Sequence, residues 1–157
     1  MLTAEGQRKK QKLATASNEA LLDALRPLVE KIPKTVSDRV KSTGSGAEGS
    51  FSTPYSSSWS RKRSQRGRQT SKKDFSYSDS MWASFVIVDE KASLEGVSFR
   101  LAPTGTNEDS RKANYYIAQA HNDRENQNIV EMTQDEVDQF SREAAEVIAK
   151  YLQNVLR

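Results

Sequence analysis

The chain has 157 residues, of which 35% are hydrophobic and 29% charged, with one His and no Cys. That length fits one domain with arms, and an apolar content below the globular average predicts a modest core with a sizeable fraction of the chain outside it. The lack of Cys excludes disulfides, thiolate nucleophiles, zinc fingers and iron–sulfur sites and fits assembly in a reducing compartment; no window approaches the ~20 apolar residues of a membrane span, and the first residues lack the apolar stretch of a secretion signal.

The net charge of +3 conceals an asymmetry. Residues 1–73 hold 16 Lys and Arg against 6 Asp and Glu, a balance of +10, and residues 74–157 hold 8 against 15, a balance of −7. A chain with one basic and one acidic half can pair head to tail with copies of itself, or turn its basic half towards a polyanion.

In chain order, residues 3–42 read as helix, because Leu21, Leu25, Leu28, Ile32, Val36 and Val40 recur every three or four positions and make one apolar stripe. Pro27 and Pro33 each remove a backbone donor, which predicts a kink or break at one of them. Residues 43–80 read as an extended loop or arm. Ser42 to Ser50 has the composition of a flexible link, and Phe51, Tyr55, Trp59, Phe75 and Tyr77 follow, set among Ser, Arg and Lys. Aromatics argue against plain disorder, so the arm is expected to become ordered when a partner or neighbouring subunit covers it. Within it, Arg61 to Lys73 carries seven basic residues (Arg61, Lys62, Arg63, Arg66, Arg68, Lys72 and Lys73) and no acid.

Residues 81–103 alternate as two strands. Met81, Phe85 and Ile87 point one way, with Trp82, Val86 and Val88 opposite; Val97, Phe99 and Leu101 alternate in the second strand, and Asp89 to Gly96 is the polar link. Pro103 to Ser110 reads as loop; Ser110 to His121 fits helix or strand, Asn122 to Asn128 is a polar connection, and Ile129-Val130 suits a short strand. From residue 133 a capping box, Thr133-Gln134-Asp135-Glu136, opens a helix whose apolar face is Val137, Phe140, Ala144, Val147, Ile148, Tyr151, Leu152 and Val155. At ~1.5 Å per residue this helix is ~33 Å long. Together these elements predict an α+β fold: a small antiparallel sheet flanked by a long N-terminal helix and a C-terminal helix, with a long extended loop. Residues 81–157 are expected to pack with 1–42 as one domain.

Local spacing assembles no catalytic group. His121 lies in a polar stretch and reads as a surface residue, with no carboxylate pair, Ser nucleophile or metal cluster beside it. No phosphate-binding glycine motif is present. The expectation is a non-enzyme without cofactor or metal. The basic segment has three readings: nucleic-acid binding through phosphates, a subunit interface anchored by Arg and aromatics, or a solvated charge run.

One further pattern is a matter of resemblance. Pro54-Tyr55-Ser56, Trp59, Arg63 and Gly67 are followed by Asp74-Phe75, then Ser78-Asp79-Ser80-Met81 and Ser84. Ala113, Tyr115 and Tyr116 come next, and the Thr133/Glu136 box opens the last helix. This order resembles the virion morphogenesis, or tail-completion (head–tail joining), proteins of tailed bacteriophages, with Asp79 standing where that family has Gly. The resemblance implies a structural protein that forms a ring of copies at the virion neck and is assembled in the host cytoplasm. Its implied neighbours are portal-side adaptors, tail-terminator or tail-tube proteins and packaged DNA in the channel, with no membrane. Tyr55, Trp59, Arg61, Arg63, Phe75 and Met81 are the expected interface residues. The alternative is a sequence-independent nucleic-acid-binding protein using Arg61, Lys62, Arg63, Arg66, Arg68, Lys72 and Lys73.

Overall fold

A computed structural model describes residues 4–51, 54–76, 79–107 and 110–155; Tyr77 and Ser78 of the motifs above lie outside them. The N-terminal stripe forms two helices, α1 (Ala4–Val29) and α2 (Ile32–Thr43), separated at Glu30 and Lys31. The break falls between the two prolines. Pro27 lies in the last turn of α1, and Pro33 occupies the first turn of α2, where its missing N–H has no partner to lose. Leu22, Leu25, Leu28 and Val29 of α1 and Val36 and Val40 of α2 are buried, while Ile32 is half-buried.

After Gly44 a two-residue pair of strands, β1 (Ser45–Gly46) and β2 (Gly49–Ser50), leads into α3 (Ser57–Gln65). Ser56 caps α3, its Oγ accepting from the Trp59 amide at 3.4 Å. The 43–80 segment is thus the long, largely irregular loop expected. It carries a helix and folds over the body of its own chain.

Met81 and Trp82 lie in a single turn, α4 (Ser80–Ala83), rather than at the head of a strand, and both are buried. The hairpin begins behind them, β3 (Phe85–Ser93) pairing antiparallel with β4 (Gly96–Pro103). It is longer than the alternation suggested and turns at Leu94-Glu95, because the polar residues after Asp89 stay in the ladder with one face in solvent. Ile87 faces Leu101 and Asp89 faces Arg100, which leaves Val88 as an extra residue and breaks the alternation there.

The ambiguous stretch is a helix, α5 (Asn114–Glu125). Asn114 is 2% exposed and anchors its start: its Nδ2 donates to the Thr104 carbonyl at 2.8 Å and the Ser84 hydroxyl at 2.9 Å. Ile129-Val130 form a turn, not a strand, and Ile129 is wholly buried. The core comprises Val36, Val40, Met81, Trp82, Phe85, Ala118 and Ile129, so it lies where α2, α4, α5 and the root of the hairpin meet. The final helix, α6 (Gln134–Val155), packs along α1, where Tyr151 donates to the Ser17 carbonyl at 2.8 Å. Phe140, Ala144, Val147, Ile148 and Tyr151 of its apolar face are half-buried, and none of its residues is fully buried.

Candidate interaction surface

The basic, aromatic segment is organised by Asp74. This carboxylate takes the Arg63 guanidinium at 2.8 Å, the Gln69 side-chain amide at 2.6 Å, the Ser76 backbone amide at 3.0 Å and the Tyr55 hydroxyl at 3.1 Å. The Tyr55 oxygen also accepts from the amides of Asp74 and Phe75 at 3.1 and 3.2 Å, and the Trp82 indole donates to the Asp74 carbonyl at 3.0 Å. Arg63 is wholly buried, its guanidinium carbon 4.6 Å from the centre of the Tyr55 ring. Burial by itself raises the Asp74 carboxyl, but the Ser76 and Gln69 hydrogen bonds and the Arg63 charge outweigh it and hold the group below the usual carboxylate range. Burial pushes the Tyr55 phenol up, against the lowering influence of the amides that donate to it.

Two of the six expected interface residues, Arg63 and Met81, are thus interior, and Tyr55 is tied into the same knot. Phe75 is half-buried between Phe51, at 4.8 Å, and His121, at 4.3 Å. Trp59 is half-buried and Arg61 exposed. The run of cations is divided in the same way. Lys73 is buried against Glu125, Arg68 pairs with Asp79 at 2.9 Å, and Lys72 donates to the Ser42 carbonyl. Arg61, Lys62 and Arg66 are exposed on the ridge of α3 and the turn after it, with Lys62 5.9 Å from the centre of the Trp59 ring and Arg66 also engaged within the chain.

Two cavities flank this ridge and share Trp59, Phe75 and His121 as walls. One, of about 520 Å³, is completed by Pro54, Tyr55 and Arg124 among others; the second, of about 470 Å³, by Lys62, Arg66 and Lys112 among others. His121 is half-buried rather than on the open surface. Burial, with the Arg124 and Lys73 charges nearby, pushes its pKa down to about 4, so the imidazole is neutral at pH 7 and fills space beside Phe75.

Sequence reasoning missed the acids that disarm the cationic run. Asp74 and Asp79 lie just beyond its end and Glu125 lies 52 residues past Lys73. The signal within reach was Asp74, adjacent to Lys73 and 11 residues past Arg63, a spacing that a returning loop spans. Among the described residues no group of three or more His, Asp or Glu side chains is placed to hold a metal ion, and no helix is long and apolar enough to cross a membrane. Set against protein-family models, curated proteins and solved structures, the chain has no match.

Proposed function

We propose that this chain is a structural subunit of a tailed-phage neck, a tail-completion or head–tail joining protein that works by assembling with other chains. The observation that carries this reading is α6: 22 residues with a capped start and a continuous apolar face, yet none of them buried. Val137 is 39% exposed, Leu152 48% and Val155 56%. The middle of the face, Phe140 to Tyr151, is half-buried along α1, and covering each of the Val and Leu residues left exposed at its two ends would contribute ~1.5–3 kcal/mol, which suits a surface that another chain covers. The backbone at Asp79 lends separate support. Its φ of 59° lies in the left-handed region that favours glycine, and this is the position where the tail-completion pattern has Gly.

The nucleic-acid alternative draws less from the same residues, since at least five of the seven cations it needs are engaged by their own chain. The neck reading is tested by localising the chain in purified particles, and by a Leu152→Glu/Val155→Glu variant. The chain should be found at the neck, and the variant should yield filled heads lacking tails. Absence from the particle, or normal tail attachment with the variant, removes the reading.

A further inference from the structure

The cavity of about 520 Å³ beside the Asp74 knot has a charged group in its wall whose hydrogen bonding the fold leaves incomplete. Lys73 and Glu125 form a buried ion pair there, with Lys73 donating to one carboxylate oxygen, Oε1. The other oxygen, Oε2, is buried and has no hydrogen-bond partner, and Glu125 as a whole is 6% exposed. An unpaired acceptor on a buried charged group is costly, and a donor brought in through the cavity removes that cost. The rest of the wall is largely apolar, with Pro54, Tyr55, Trp59, Phe75 and His121. It is set before any ligand arrives. Phe75 is held at a φ of 50°, its amide donates to the Tyr55 oxygen at 3.2 Å, and its ring centre lies 4.3 Å from that of His121, so little ordering remains to be done on binding.

Charge decides what kind of group fits. A cation is disfavoured, because the chain's own cations already stand over two of the rings. The Arg63 guanidinium carbon is 4.6 Å from the centre of the Tyr55 ring and the Lys62 ammonium 5.9 Å from that of Trp59, while Lys73 and Arg124 are themselves in the wall. An anion would set a second negative charge against the very oxygen that lacks a donor. We propose that this cavity binds a neutral aromatic ring bearing an O–H donor, a phenol, with the ring among Tyr55, Trp59 and Phe75 and the hydroxyl donating to Glu125 Oε2. Because Lys73 donates to Oε1, a small rotation of the Glu125 side chain brings Oε2 to the incoming hydroxyl while the ion pair stays made. The volume falls within the roughly 300–1,000 Å³ of small-ligand sites. Such a ring has two sources, a free phenol and a tyrosine of another chain, and a second copy offers Tyr115 and Tyr116, which are 54% and 67% exposed. The site does not rest on the neck reading.

The test titrates p-cresol, the tyrosine side chain as a free molecule, into the full chain and follows it by NMR. Amides of residues 121–125 and the Trp59 indole should shift and saturate with a Kd of about 1 mM, while the Trp82 indole, bonded to the Asp74 carbonyl, should not move. 4-Methylanisole, the same ring with its hydroxyl capped, should bind ~10-fold or more weakly. Glu125→Gln turns its carbonyl to Lys73 and an N–H donor to the cavity, and should abolish the preference for p-cresol. If that variant does not fold, the comparison of the two ligands on wild type still decides. No saturable shift by about 10 mM, equal affinity for the two ligands, a preference kept by folded Glu125→Gln, or shifts confined to Met81 and Ile117 of the neighbouring cavity overturns the site. Sedimentation separates the sources, and either result upholds the site. A chain that stays monomeric while binding p-cresol takes a free phenol; self-association that p-cresol reverses and Tyr115→Phe/Tyr116→Phe removes places a second copy's tyrosine in the cavity.

Discussion

Arg63 and Asp74 form the buried ion pair around which the segment between α2 and α4 is folded, one guanidinium nitrogen lying 2.8 Å from one carboxylate oxygen and 2.9 Å from the other. Removing one member of such a pair leaves the other charged and dry, which costs ~3–5 kcal/mol. Asp74→Ala should therefore destabilise the chain by about that amount, measured by urea unfolding at pH 7. The pair also sets an acid limit. Because the folded Asp74 carboxyl titrates below its ordinary value of 3.8, the unfolded chain takes up the proton first as pH falls. Its stabilisation is complete well above pH 3.8 and fades as pH drops through the folded value. Asp74→Asn should remove that part of the acid dependence, and an unchanged acid limb in the variant would show that the carboxylate is not its source.

His121 has the same sign of linkage over a different window. Its folded pKa of about 4 lies below the ordinary 6.5, so between these values the unfolded state binds the proton and the folded state does not. Stability should fall as pH is lowered from 6.5 towards 4, with a slope of at most ~1.4 kcal/mol per pH unit. His121→Gln keeps a polar planar group beside Phe75 without the proton. Thermal melts of this variant across the window should be flatter than those of wild type, and identical slopes would contradict the burial assigned to His121.

Much of the fold was legible because its signals are local. The apolar stripe with its two prolines located α1 and α2, strand alternation located the hairpin, and Thr133 with Glu136 located the start of α6. The α+β class with flanking helices follows from those elements. What escaped was set by contacts distant in sequence. Met81 and Trp82 alternate correctly with the strand residues after them, but Trp82 is drawn into a helical turn whose indole reaches the Asp74 carbonyl. Ile129 has the local character of a strand residue, but it has no strand to pair with and instead plugs the core. The basic run has the composition of an exposed patch, and composition carries no information about Glu125 meeting Lys73. The expectation that the arm awaits an outside partner to become ordered thus gives way to a segment held by its own chain.

The capping box gives a prediction in which two interactions share one residue. Thr133 Oγ accepts the Glu136 amide at 3.2 Å while Glu136 accepts the Thr133 amide at 2.8 Å. Thr133→Ala should cost ~1 kcal/mol. Glu136→Ala should cost more, because it also deprives the largely buried Arg39 of its carboxylate at 2.9 Å. Arg39 continues to donate to the Ser45 carbonyl at 2.8 Å and to the Glu131 carbonyl at 2.5 Å, so it is not left wholly unpartnered and the excess should stay below that of the Asp74 variant. Chemical denaturation of the two single variants and the double variant measures this coupling, and equal losses for Thr133→Ala and Glu136→Ala would show that Arg39 draws nothing from Glu136.

Gly44 tests directly whether the middle segment lies on its own body. It closes α2 at a φ of 71°, and a Cβ there would come within 2.8 Å of the Lys72 Cβ and 3.3 Å of the Lys73 carbonyl oxygen. Gly67, just past α3, has nearly the same φ of 66° with nothing within 4 Å. An alanine at either site bears the left-handed backbone penalty of ~1–2 kcal/mol. Only at Gly44 must the chain at Lys72 and Lys73 also move, because the obstructing atoms are a Cβ and a backbone carbonyl rather than the tip of a flexible side chain. That movement would pull Lys73 from Glu125 and disturb Asp74, the next residue along. Gly44→Ala should therefore be clearly more destabilising than Gly67→Ala, and should also expose residues 69–76 to rapid amide exchange. Equal losses for the two variants would mean that the segment does not rest against the end of α2.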